Sequence, residues 1–203
     1  IDRLREKYSN LLQETDSENF KDNLKIINNQ IKIIENLVNE FSDFARMPKP
    51  TLRENNLVNL FKKNIKLLKE LDNTIEIDLL SSSEKIILNS DKEQISRVFL
   101  NLIKNSIESI QQKAENVSNF NKKITIELKG YDGHINLVIM DNGVGFGKFS
   151  KNIKDILNPY FTTKKNGTGL GLSIVSKIIN DHNGKIEFIP RNDGAEIKIN
   201  FVK

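Results

Sequence analysis

The chain has 203 residues, 37% of them hydrophobic, which is enough for one domain of ordinary size and a smaller element. It has no cysteine, which excludes disulfides and thiolate metal sites, and no apolar run near the ~20 residues that a membrane-spanning helix needs. The 31 basic and 27 acidic residues leave a net charge of +4, spread over scattered lysine pairs with no basic patch, so nucleic acid is not an expected ligand.

Residues 1–48 read as a helical unit. The sequence opens on Ile1 with a helical pattern already running and no signal-peptide pattern, so a fragment of a longer protein is expected. Ile1 to about Leu12 reads as the end of one helix, and the polar stretch Gln13–Ser17 as a break. From Phe20 the apolar residues Leu24, Ile27, Ile31, Ile34, Val38 and Phe41 follow in steps of 4, 3, 4, 3, 4, 3, a heptad seam. Ile26, Ile33, Leu37 and Phe44 widen the stripe beyond what a two-stranded coil needs. A helical hairpin that pairs with a second copy into a four-helix bundle would bury both. Pro48 and Pro50 stop the helix and form a short stiff linker.

Residues 49–203 read as a mixed domain. Leu57–Leu71 has the pattern of an amphipathic helix, and Thr74–Leu80 and Lys85–Asn89 those of strands. Asp91 is placed to cap a helix from Lys92 to about Lys113, with Gln94 completing a capping box. Ile95, Val98, Phe99, Leu102, Ile103, Ile107 and Ile110 share one face of it, and Asn101, Asn105 and Glu108 line another. Asparagines one turn apart gain nothing from helix propensity. They are either surface decoration or oxygen ligands for a hard cation beside phosphates, since Mg²⁺ needs only one or two protein oxygens.

The remaining segments look like antiparallel sheet: Lys123–Lys129, then Ile135–Ile139 after a turn at Gly130–Gly133, then a closing hairpin of Lys185–Ile189 and Ala195–Phe201. The second of these strands ends at Asp141-Asn142-Gly143-Val144-Gly145, a carboxylate followed by glycines that let backbone approach a flat ligand. An ionised carboxylate only accepts hydrogen bonds, which suits the exocyclic amine of adenine. Gly147–Asn166 is polar and irregular, with Ile153, Ile156, Tyr160 and Phe161 as candidate anchors of a lid. Gly167-Thr168-Gly169-Leu170-Gly171-Leu172 then feeds an apolar helix, and a glycine-rich turn at a helix start offers free N–H groups to phosphate.

The ordered set Asn101…Asn105, Asp141-Asn142-Gly143-Val144-Gly145, Pro159-Tyr160-Phe161-Thr162-Thr163-Lys164 and Gly167–Leu172 resembles the N, G1, F and G2 boxes of sensor histidine kinases. Asn39–Pro50 is similar to the nitrogen-regulation sensor kinases of the NtrY type. The resemblance implies an α+β fold: a two-layer α/β sandwich that binds ATP, shared with gyrase and Hsp90, preceded by the dimerising hairpin. It implies ATP and Mg²⁺ as ligands, with Asn105 on the metal helped by Asn101, and with Asn101 and Lys164 as catalytic residues. Asp141 would read adenine, with Gly143 and Gly145 allowing close approach. Gly167, Gly169 and Gly171 would cradle phosphates, with further contacts from Phe161, Thr162, Thr163, Thr168 and Leu170.

The family's phosphoacceptor histidine lies in a box that this sequence lacks, and Ile1–Tyr8 looks like the stretch shortly after it, so the acceptor is expected upstream. A homodimer, a response-regulator partner and a cytoplasmic location follow, the parent being either soluble or an inner-membrane sensor. Two rival classes are an ATP-hydrolysing clamp, favoured by a glutamate where Asn101 stands, and a non-catalytic scaffold, favoured by failure to bind ATP with Mg²⁺.

Overall fold

The computed structural model describes residues 14–71, 73–146, 155–162, 164 and 167–203. The chain divides into two compact units, Ile1–Met47 with Thr162–Thr168, and Pro48–Phe161 with Gly169–Lys203.

Among the described residues of the first unit is a 32-residue helix, α1 (Glu14–Ala45). The polar residues from Glu14 to Ser17 do not break the pattern as expected. They include no glycine or proline, and ordinary polar residues cost a helix only about 0.7 kcal/mol each at most. The expected first arm of the hairpin, Ile1 to about Leu12, lies outside the described residues. On the heptad seam Leu24 is buried, but Ile27, Ile31, Ile34, Val38 and Phe41 are open to solvent, from 41% at Ile31 to 57% at Ile34.

The second unit begins with β1 (Arg53–Asn56), which runs straight into α2 (Leu57–Leu71). Then come β2 (Glu76–Ser81), β3 (Ile87–Ser90), α3 (Lys92–Ala114), β4 (Lys123–Gly130), β5 (His134–Asp141), α4 (Gly171–Asp181), β6 (Gly184–Pro190) and β7 (Ala195–Val202). The main sheet has the order β2-β4-β5-β7-β6. Three of its four pairings are antiparallel, as expected, but β2 runs parallel to β4. Parallel neighbours need a long crossover, and α3 supplies it. The strand at β3 leaves the main sheet and pairs with β1. Sequence periodicity misses β1 because Arg-Glu-Asn-Asn has no apolar alternation. Side chains hold it instead: Asn55 Nδ2 donates to the Ser90 carbonyl at 2.7 Å, and Asn56 Oδ1 accepts from the Val58 and Ile86 amides.

One face of the sheet is apolar. Ile124, Ile126, Leu128, Ile135, Leu137, Ile139, Ile197, Ile199 and Phe201 are all buried, while the alternate residues of β4 and β5 stay half-exposed. The helices α2, α3 and α4 cover that face, giving two layers. The rings of Phe61 on α2 and Phe99 on α3 stack with centroids 4.4 Å apart. Of the seven apolar residues expected on one face of α3, six are buried and Ile107 is only partly covered. Ile156 is a buried anchor, but Tyr160 is 58% exposed and anchors nothing; Ile153 lies outside the described residues.

Asp91 caps α3 as expected, its carboxylate accepting the Glu93 and Gln94 amides and that of Thr51. The capping box is not closed. Gln94 Nε2 donates to the Pro48 carbonyl, and the Asp91 amide goes to His182 Nε2 at 2.9 Å, a partner that is distant in sequence. Burial opposes the charged form of Asp91, yet the amides of Thr51, Gln94 and Glu93 outweigh it and hold its pKa below the ordinary carboxylate value. A depressed carboxylate stabilises the fold above its unfolded pKa and loses that contribution as pH falls through the folded one. Asp91→Ala is therefore expected to lower stability by about 1–2 kcal/mol at neutral pH. The gap to wild type should close as pH drops below the ordinary carboxylate range, as read from urea midpoints at both pH values.

Candidate nucleotide site

Asp141 is the last residue of β5 and is 7% exposed. Its Oδ1 accepts the Gly143 amide at 3.0 Å and its Oδ2 accepts the Ser106 hydroxyl at 3.0 Å. Burial raises its pKa above the ordinary carboxylate value, only partly countered by the Gly143, Ser106 and Ala195 hydrogen bonds and the charge of Lys113. Each carboxylate oxygen can accept more than one hydrogen bond, so an oriented acceptor remains for a ligand. Ser106 is missing from the sequence-based site, although the signal was there. It falls on the rhythm Phe99, Ile103, Ser106, Ile110, a hydroxyl at an apolar step of α3.

The turn after Asp141 is tied down on several sides. Asn142 Oδ1 accepts the Lys123 amide at 3.0 Å and its Nδ2 donates to the Asn121 carbonyl at 2.6 Å. Lys113 Nζ donates to the Asn142 carbonyl at 2.9 Å and also pairs with the Asp193 carboxylate. The Val144 amide donates to the Ser109 carbonyl of α3 at 3.3 Å.

The glycines here answer to the protein first. A Cβ on Gly143 would come 2.6 Å from the Ser109 carbonyl carbon and 2.7 Å from the Ile110 nitrogen. A Cβ on Gly145 would strike the Gly194 carbonyl, and one on Gly194 would strike that of Asp141. Gly194, in the turn between β6 and β7, is a supporting residue that lies outside the motifs. Its visible signal was only the turn sequence Asn192-Asp193-Gly194.

Asn101 and Asn105 both lie half-exposed on α3, one turn apart, while Ser106 reaches Asp141 from the buried face of the same helix. At the start of α4, Leu170 is fully buried, so only its backbone could face a ligand. No side-chain hydrogen bond caps this helix, and the first-turn N–H groups of a helix have no partner within it, an arrangement that suits an anion. Gly169 has φ 71° and fits against Tyr160, whose amide donates to its carbonyl at 3.1 Å. Phe161 is half-buried, its amide on the Asn158 carbonyl. A Cβ on Gly171 would meet nothing within 4 Å.

The expected site residues Thr162, Lys164, Gly167 and Thr168 belong to the first unit. There they form a turn of their own: the Lys164 amide donates to Thr162 Oγ1 at 3.1 Å and the Gly167 amide to the Lys164 carbonyl at 3.2 Å. The Thr168 hydroxyl donates to the Glu40 carboxylate of α1. Thr163 lies outside the described residues.

Residues 90–202 match the histidine kinase-, DNA gyrase B- and HSP90-like ATPases. The chain belongs to this family. It is 34% identical over 201 residues to the NtrY-like sensor histidine kinase of Rickettsia prowazekii (strain Madrid E), a match covering 98% of this chain and 32% of the relative. The chain thus spans about a third of the length of that relative. Among solved structures it resembles the catalytic domain of histidine kinase ThkA, with a TM-score of 0.64, 30% identity and coverage of 75% of this chain and 95% of that one. It also resembles ThkA in complex with response regulator protein TrrA, with a TM-score of 0.71, 26% identity and coverage of 91% and 51%. The α+β nucleotide-binding fold expected from the motifs is the fold observed, and the second unit is an ATP-binding domain of the sensor histidine kinase type. Among the described residues no helix is long and apolar enough to cross a membrane.

The glycine geometry separates two roles. Gly143→Ala is expected to cost about 1–3 kcal/mol of stability, since the backbone of α3 cannot give way to the new methyl. Gly171→Ala is expected to leave the thermal midpoint of the unliganded chain unchanged or slightly raised, because no atom of the described residues lies in its way. Melting curves of the two variants check this directly.

Proposed function

We propose that residues 49–203 bind ATP with Mg²⁺ and transfer its γ-phosphoryl group to a histidine outside these 203 residues, for relay to an aspartate of a response regulator. The observation that carries this reading is Asp141, a buried carboxylate oriented by Ser106 and Gly143 with acceptor capacity left over. It would take the hydrogen of the adenine exocyclic amine. Asn105, helped by Asn101, would hold Mg²⁺ through neutral amide oxygens, a donor type that suits this metal. When bound, the metal supplies charge compensation at the phosphates. By the family resemblance, Gly167, Gly169 and Gly171 would offer backbone N–H groups to those phosphates, and Lys164 would offset charge on the transferring group. The family resemblance would add contacts to the nucleotide from Phe161, Thr162, Thr163, Thr168 and Leu170. An amide at Asn101 cannot take a proton from water, so hydrolysis is minor beside transfer.

Neither histidine in the chain suits the acceptor role. His182 is 4% exposed and both its ring nitrogens are engaged. His134 opens β5 at the end away from Asp141, about 23 Å along the strand, and stacks on Tyr131. Residues 1–48 would serve as part of a dimerising hairpin, with the exposed seam of α1 covered by a second copy. The response regulator is the partner by analogy with ThkA and TrrA. The domain would act in the cytoplasm, without contacting nucleic acid.

Incubation with γ-labelled ATP and Mg²⁺ tests the reaction. Acid-labile label is expected on a version extended through the preceding helix, and none on the 203-residue chain. Stoichiometric label on His134 or His182 would refute the assignment. Asp141→Asn should bind ATP about tenfold more weakly while remaining folded. Because burial raises the pKa of Asp141, wild-type affinity should fall on acidification at a higher pH than an ordinary aspartate would dictate.

The dimer is tested at the middle of the seam. Sedimentation should show self-association that Ile31→Glu abolishes, since burying an unpaired charge is strongly disfavoured. A wild type that stays monomeric at high concentration would remove the hairpin from the proposal.

A further inference from the structure

His182 ties together the two helices that frame the proposed phosphate and metal positions. Its Nε2 accepts the Asp91 amide at 2.9 Å, and its Nδ1 lies 2.8 Å from the Ile178 carbonyl. The two contacts assign one neutral tautomer: an amide donor requires a bare Nε2, which leaves the proton on Nδ1 to bind the carbonyl. The ring closes the last turn of α4, and Asp91 is the residue immediately before α3.

The turn that follows cannot drift. Asn183 is left-handed at φ 55°, and a Cβ on Gly184 would come 2.9 Å from Ile179 Cγ2 and 3.1 Å from the Phe201 ring. About three turns back along α4 lies its start at Gly171; about three and four turns along α3 lie Asn101 and Asn105. Apolar packing between α3 and α4 is non-directional and tolerates sliding, whereas a hydrogen bond loses its strength within a fraction of an ångström to an ångström.

We infer that His182 is a positioning residue: its bond to the Asp91 amide sets the axial register of α4 on α3. It thereby sets the spacing between the helix start at Gly171 and the amides of Asn101 and Asn105. The inference rests on the nucleotide reading above, in which these elements hold phosphates and Mg²⁺.

Three variants separate this role from space filling. His182→Gln can place an amide oxygen near the Nε2 position and keep the bond to Asp91. His182→Asn is too short to reach it, and His182→Phe fills the volume with neither donor nor acceptor. Two quantities are measured: hydrogen exchange at the Asp91 amide in the unliganded chain, and the gain in ATP affinity on adding Mg²⁺. Wild type and the Gln variant should protect the Asp91 amide and keep the full gain. The Asn and Phe variants should expose the amide and lose about five- to tenfold of the gain. Metal-free ADP, read chiefly at Asp141, should bind all four alike. An equal Mg²⁺-dependent gain in all four proteins, or a protected Asp91 amide in the Phe variant, overturns the inference. Should the Phe variant not fold, the Asn and Gln pair decides. A wild type that binds no ATP overturns the nucleotide reading and with it the positioning role, while Asp91 exchange still reports whether the tie exists.

Discussion

The end of β5 is held against α3 by the carboxylate of Asp141, and the proposed site is arranged around that contact. Ser106 takes one oxygen, the Gly143 amide takes the other, and the turn lies so close to α3 that no side chain fits at Gly143. Burying a carboxylate this way costs free energy, visible in its raised pKa. A buried ionisable group with specific partners at a strand end is what a recognition site needs and what a core does not. In the proposed function this position reads a polar ligand edge, and the fold holds its carboxylate in place by the Ser106 and Gly143 bonds.

The helix α3 has three duties at once. Its apolar face packs Phe99, Leu102, Ile103 and Ile110 into the core with the Phe61 stack. Its Ser106 orients Asp141 from the buried face, and its Asn101 and Asn105 remain half-exposed. A displacement of α3 would move all of these together, so its N-terminal anchoring matters. Asp91, Thr51, Gln94, Pro48 and His182 converge there.

A charge tie links the other end of α3 to the same turn. Lys113 reaches the Asn142 carbonyl and Asp193 and sits over the Phe120 ring at 5.0 Å from its centroid. Together with Gly194 packed on the Asp141 carbonyl, it brings the turn between β6 and β7 into the support of the site. Lys113, Phe120, Asp193 and Gly194 lie in no motif. They act by fixing backbone, and so do Gly143 and Gly145, whose lack of a side chain the surrounding protein already demands.

The sequence by itself determined what depends on local periodicity and local chemistry. The helices α2 and α3, the strands β4 and β5 and the hairpin β6–β7 follow from spacing that burial then confirms at Ile126, Leu137 and Ile199. The ordered boxes around Asn101, Asp141 and Gly171 were enough to point to the family, because each needs particular residue types at short spacing. Only the tertiary structure decided what depends on partners far along the chain. The parallel pairing of β2 with β4, the β1–β3 ribbon and the Ser106–Asp141 bond are examples. So are Gly194 under Asp141 and the replacement of the expected capping box by His182 on the Asp91 amide, a contact across 91 residues. The reason is physical: a short-range pattern records which groups need a partner, while which distant group supplies it is settled only when the layers pack.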